Sequence, residues 1–277
     1  MNVAALPHTL FIILAELAVG SLWATTASDL RGGVTRGFVL TMALLVAVTG
    51  GLALWVTSGI EVGTDIDGYA VASGWFGRLE AILFAVTILA AVYAAAVFMG
   101  WDPLGRLAGL AGSAAGLIAV GAMAAFLAPP AWSAAGVFAG LLAGTLAMGA
   151  VAVAMTWGHW YLTEGALPGR PLRELALLLI AAELFQGVTI AVALSIPVSE
   201  APTPANPVDV ALVANPVLYL RIAVGLLFPL VLAVLAYQTA RIRAMQSATG
   251  LLYNAMGAVF VGEVLGKGLM FMTGRAL

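Results

Sequence analysis

The chain has 277 residues, of which 63% are apolar and 9% charged, with a formal net charge of −2 and a mean hydropathy of +1.09, whereas a soluble domain is about 25% charged. A water-soluble fold cannot hide that much apolar surface, and so small a net charge does not suggest a polybasic membrane patch or nucleic acid, so no nucleic-acid partner is expected. With no cysteine in the sequence, the chain cannot itself hold a disulfide, a thiolate-ligated iron–sulfur cluster or a zinc-thiolate site.

A helix needs about 20 mostly apolar residues to cross the hydrocarbon. Eight such runs occur, near 10–26, 37–59, 75–98, 107–127, 134–162, 175–196, 217–240 and 251–272. Polar or Pro/Gly-rich breaks separate them: SDLRGGVTR, EVGTDIDGYA, WDPLGR, APPAW, TEGALPGRPLRE, VSEAPTPANPVDVALVANP and ARIRAMQS. None is long enough for a soluble domain. The opening MNVAALPHTLF lacks a basic n-region and is expected to lead into the first span. The fold class is therefore all-α, a polytopic bundle in which residues 1–277 form one eight-helix transmembrane domain.

The arginines orient it, because short cytoplasmic loops collect Lys and Arg. Arg31 and Arg36, then Arg106, then Arg170 and Arg173, then Arg241 and Arg243 fall in every other loop, while the intervening loops carry Glu61, Asp65, Asp67, Glu200 and Asp209. Both termini are thereby expected outside a multi-pass protein of the cell's inner (cytoplasmic) membrane, with Arg275 the exception. Gly105, Gly109, Gly112 and Gly116 near the fourth span, and Gly136, Gly140 and Gly144 in the fifth, suggest that these two helices pack closely. The expectation is close contact of each of these helices with its neighbours; such spacing serves packing in any membrane protein and assigns the glycines no function.

Ionisable groups in hydrocarbon cost at least about 2.5–3.5 kcal/mol each, so each needs a partner or a purpose. Within the spans stand Glu16, Arg78, Glu80, Glu183, Arg221, Glu263 and Lys267. The orientation puts most of them in the outer leaflet, with Glu16 and Glu183 nearer the midplane, and their signs nearly balance. A shared buried network is expected, serving either to lock helices together or to form an outward pocket in which cations hold a ligand oxygen and carboxylates exchange protons. A quinone fits such a pocket. Histidine argues against haem, since bis-histidine ligation needs two facing residues and His8 and His159 fall at opposite ends; His159, in WGHWYL, is expected in an interfacial aromatic belt.

In the eighth span, FVGEVLGKGLMF resembles the last helix of the membrane anchor subunits of dimethyl sulfoxide reductase-type complexes, where a G-E-x-x-G-R/K-x-x-F pattern recurs. FGRLEAILF in the third span looks like that family's acid-bearing segment and places Glu80 on its glutamate. LYLRIAVGLLF in the seventh looks like its W-R-I-V segment and places Arg221 on its arginine. Eight spans with external termini also fit this family and the related polysulfide reductase membrane subunits. The resemblance implies an anchor without a haem or iron–sulfur cluster of its own. Such an anchor binds a quinone (menaquinone or ubiquinone) and docks an extracytoplasmic iron–sulfur subunit and a molybdopterin-type catalytic subunit. The residues implied at the quinone are Glu80, Arg221, Glu263 and Lys267, with Arg78 and Glu16 beside them. One departure is that WVTSGIEVGTD stands where the family has a histidine after its second span.

Two other functions share the composition. A proton- or ion-coupled transporter would use Glu16 and Glu183 and would need an internal repeat with paired interrupted helices, which the sequence does not display. A structural scaffold would use the charges for packing alone.

Overall fold

The computed structural model describes residues 5–164, 167–200 and 212–277. Its helices are α1 (Leu6–Arg31), α2 (Arg36–Thr57), α3 (Phe76–Met99), α4 (Asp102–Leu127), α5 (Ala134–Glu164), α6 (Arg170–Ser195), α7 (Pro216–Ile222), α8 (Phe228–Arg241) and α9 (Met245–Thr273). A π turn, Ala223–Leu227, joins α7 to α8, so the two make one span. Among the described residues eight helices are thus long and apolar enough to cross a membrane, and the chain is a multi-pass helical membrane protein.

Local chemistry sets the ends. Proline in the first turn opens α1, α4, α6 and α7, where its missing N–H costs nothing. The Thr35 hydroxyl accepts from the Phe38 amide at 3.3 Å to cap α2, and the Asn215 side chain accepts from the Val217 amide at 3.0 Å to cap α7. Gly100 (φ 87°) and Gly274 (φ 72°) end α3 and α9 in the left-handed conformation. Most helices overrun the apolar runs read from sequence; α9, for instance, begins at Met245 rather than near Leu251, because polar residues at the membrane surface continue a helix that the core has already nucleated.

Around the bundle α1 packs on α2, α2 on α3, α3 on α4, and α4 returns to α1. The second half repeats this ring, with α5 on α6, α6 on α8, α8 on α9, and α9 back on α5. The molecule is therefore two up-and-down four-helix bundles, joined chiefly where α1 crosses α5. At that crossing a Cβ on Gly20 would lie 1.9 Å from the Thr145 carbonyl oxygen, and one on Gly149 would lie 2.0 Å from the Gly20 carbonyl carbon. Only glycine admits this approach. The close contact expected of the fourth and fifth spans is made at their glycines: those of α4 face Tyr93, Thr26, Leu22 and Val19 on α3 and α1, and Gly144 of α5 faces Glu16 and Glu263 on α1 and α9.

His8 at the start of α1 and Phe271 at the end of α9 have ring centroids 6.4 Å apart, so the first and last helices share one face of the bundle. The opposite face carries the arginines, paired across helix ends: Arg31 with Glu174 at 3.7 Å, Arg36 with Asp102 at 3.5 Å and Arg106 with Asp29 at 3.6 Å. Arg275, the exception to the charge pattern, is occupied otherwise, because its guanidinium donates to the Ala193 and Ile196 carbonyls at the end of α6. Between α2 and α3, the break read as a loop forms a hairpin of β1 (Asp65–Ile66) and β2 (Tyr69–Ala70). Asp67 (φ 54°) and Gly68 (φ 81°) make its turn, the Asp-Gly pairing that a two-residue type I′ connection favours. Tyr69 is fully buried, donates to the Leu127 carbonyl at 2.5 Å and meets Phe271 edge-on; burial raises its hydroxyl pKa. Asp209, expected in an outer loop, lies outside the described residues.

Candidate functional site

Five ionisable side chains converge inside the second bundle and on α1. Glu16 and Glu183 are 0% exposed, Arg221 and Glu263 1%, and Lys267 4%. Lys267 Nζ lies 2.8 Å from Glu16 Oε1 and 2.9 Å from Glu263 Oε2, so one ammonium joins α9 to the first bundle. Arg221 Nη2 donates to Glu263 Oε1 at 3.3 Å, and the Gln186 amide donates to the same oxygen at 2.5 Å. Glu263 is the hub, holding two cations and an amide. Measured from the face that bears the termini, Arg221 lies five residues inside α7, Glu263 and Glu16 ten inside their helices, and Glu183 twelve inside α6. At about 1.5 Å per residue the cluster occupies a layer about 8–18 Å deep.

The seventh span is broken to serve this cluster. Pro229 has no N–H for the carbonyl four residues back, that of Gly225, and Arg221 Nη1 donates to that freed carbonyl at 2.9 Å. The π turn falls between them, and π bulges often mark functional positions. Its glycine also permits close packing, since a Cβ on Gly225 would meet the Gly262 Cα at 2.3 Å. On α5, a Cβ at Gly144 would stand 2.7 Å from Glu263 Oε2 and 3.1 Å from Glu16 Oε1. Gly144, assigned only to packing by its spacing, thus makes room for the two carboxylates.

Four of the residues expected at a site are brought together: Glu16, Arg221, Glu263 and Lys267. Arg78 and Glu80 are not, and the expectation of one shared network is corrected for them. They lie on α3, which packs on α2 and α4 in the far part of the first bundle; the exposed Arg78 guanidinium sits 4.9 Å over the Trp75 ring, and Glu80 is half-buried. Gln186, Gly144 and the Gly225–Pro229 break were missed. The last had a legible signal, a proline four residues after a glycine inside an apolar run. His159 meets Tyr253 at 3.2 Å on the arginine face, and Trp157 of the same WGHWYL stretch is buried against Phe38.

Next to the cluster lies an apolar groove of about 410 Å³ between α1, α2 and α9, lined by Leu6, Thr9, Leu10, Ile13, Phe260 and Val264 among others. Helices α1 and α9 both pack on α5 and touch each other only sparingly, which leaves the groove between them. Ile13 and Val264 stand three positions before Glu16 and Lys267 on the same helices. The groove and the Glu16–Lys267 pair therefore share their two walls. Thr9, buried at its edge, has a hydroxyl with no hydrogen-bond partner among the described residues. Among those residues no group of acids and histidines is arranged to hold a metal ion.

No family model, curated protein or solved structure matches the chain.

Proposed function

We propose that the chain is the membrane anchor of a multi-subunit respiratory oxidoreductase and interacts with quinone or quinol at the Glu16–Arg221–Glu263–Lys267 cluster. The observation that carries this reading is a buried ion cluster set beside an apolar groove on the same two helices. A quinone needs an apolar bed for its ring and tail and polar groups at its carbonyls, and pockets of this kind pair apolar walls with a few placed polar atoms. The residues fit that demand. Phe260, Val264, Ile13 and Leu10 offer the bed, the Thr9 hydroxyl is a donor at its edge, and Lys267 is the cation nearest the groove wall. When bound, a quinone supplies paired electron and proton exchange. The chain's own part is to orient the ligand with Lys267, to keep Lys267 in place through Glu16 and Glu263, and to present carboxylates as proton donors or acceptors. Arg78 and Glu80 have no part in this site. The electrons pass to or from an extracytoplasmic iron–sulfur subunit and a molybdopterin-type catalytic subunit, and the termini face that compartment.

A transporter is the weaker reading. The two halves share one order of helix contacts, in which the third span takes the place of the seventh. Yet only the seventh is interrupted, whereas α3 runs unbroken, and a coupled transporter of repeat design breaks corresponding helices. The test is purification in mild detergent, identification of accompanying subunits, and quinone extraction from wild type and from Glu263→Gln. Iron–sulfur partners with quinone lost in the variant are expected; a partner-free protein without quinone would overturn the proposal.

A further inference from the structure

We infer that the cluster binds one exchangeable proton and that Glu183 carries it. The argument is a charge count joined to contacts. Three carboxyl groups and two cations share the buried layer, so full ionisation leaves one uncompensated negative charge, which the membrane interior strongly disfavours. Arginine does not deprotonate in proteins. Lys267 is held between two carboxylates at 2.8 and 2.9 Å and keeps its charge. Glu263 faces two cations and the Gln186 amide, and Glu16 faces Lys267. Glu183 alone of the three has no cation within ion-pair distance, and its oxygens, like those of Glu16, accept no hydrogen bond among the described residues.

The surroundings of Glu183 are otherwise uncharged. Its electrostatic neighbours are Arg221 on α7 and Glu263 on α9, and Gln186 stands one turn along its own helix. The facing stretches of α5, α8 and the π turn carry no ionisable side chain; those further along, His159, Tyr161 and Glu164 on α5 and Tyr237 and Arg241 on α8, lie toward the arginine face. One proton on Glu183 brings the layer to neutrality, and the unmatched Gln186 Oε1 belongs to the same helix face. The site lies about 18 Å from one face, by the helical rise, and thus near mid-membrane. Its ligand is the proton itself, and it stands whether or not a quinone binds nearby.

The test is infrared difference spectroscopy on the purified full chain in lipid nanodiscs, with no quinone added, in sodium-containing and sodium-free buffer at neutral pH. The wild type is expected to show a protonated-carboxyl stretch that shifts on exchange into deuterated buffer and is indifferent to sodium. Glu183→Gln should abolish it, and Glu183→Asp should keep it at a displaced frequency. A wild-type spectrum without the band, a band that survives Glu183→Gln, or a band suppressed by sodium would each overturn the assignment, the last in favour of a bound monovalent cation. Should Glu183→Gln fail to fold, Glu183→Asp and Glu16→Gln decide the assignment: the band should move in the first and stay in place in the second, and a band lost in Glu16→Gln would overturn it.

Discussion

Lys267 is the residue on which the most charge depends, since its ammonium touches two carboxylates that no other group brings together. Removing one partner of a buried ion pair costs about 3–5 kcal/mol because the remaining charge stays desolvated. Lys267→Met is therefore expected to lower the thermal unfolding midpoint sharply in detergent, and adding Glu16→Leu should restore much of the loss. A double variant no better than the single one would show that Glu16 draws nothing from Lys267. Gly144 acts by absence of a side chain. Overpacking costs about 1–3 kcal/mol, so Gly144→Ala, with its methyl 2.7 Å from Glu263 Oε2, should destabilise more than Gly140→Ala, whose methyl meets the Ala276 Cβ at 3.3 Å. Equal losses in the two melting curves would contradict this account of Gly144.

Among the elements, the broken seventh span shows how a local defect positions a charge. Proline at 229 frees one carbonyl, and the arginine eight residues earlier takes it. Pro229→Ala restores the amide and lets the backbone compete for Gly225. Hydrogen bonds to charged groups are worth about 1.5–3 kcal/mol, so on the proposed function quinone affinity should fall roughly tenfold or more while thermal stability holds or rises. Unchanged affinity would mean that Arg221 is held by Glu263 alone. The hairpin works the other way, adding order rather than removing it, because its Asp-Gly turn delivers Tyr69 into the bundle against Phe271.

For the molecule as a whole, two four-helix rings meet at one glycine crossing, and the Glu16–Lys267 contact spans the same seam. The absence of native cysteine makes orientation directly measurable. With single cysteines at the exposed positions Ser58, after α2, and Ser247, in the first turn of α9, a membrane-impermeant maleimide should label Ser58→Cys in intact cells and Ser247→Cys only after permeabilisation. The reverse pattern would invert the assigned orientation and put the arginine face outside.

The eight spans and the alternation of basic loops were legible in the chain because hydrocarbon imposes its thickness on each segment separately: a run such as 175–196 must be apolar whatever its neighbours are. The identities of Glu16, Arg221, Glu263 and Lys267 were legible for a similar reason, since a charge in an apolar run is conspicuous. Partnership was not. Arg78 and Glu80 have the same one-dimensional appearance as Arg221 and Glu263, yet α3 lies on the far part of the first bundle while α7 and α9 meet, because the two rings join through α1 and α5. Which helices face one another is set by close approaches such as Gly20 to Gly149, and these depend on atoms distant in sequence. Gln186 and Gly144 gained their roles only there, one by donating across to Glu263 and the other by leaving it room.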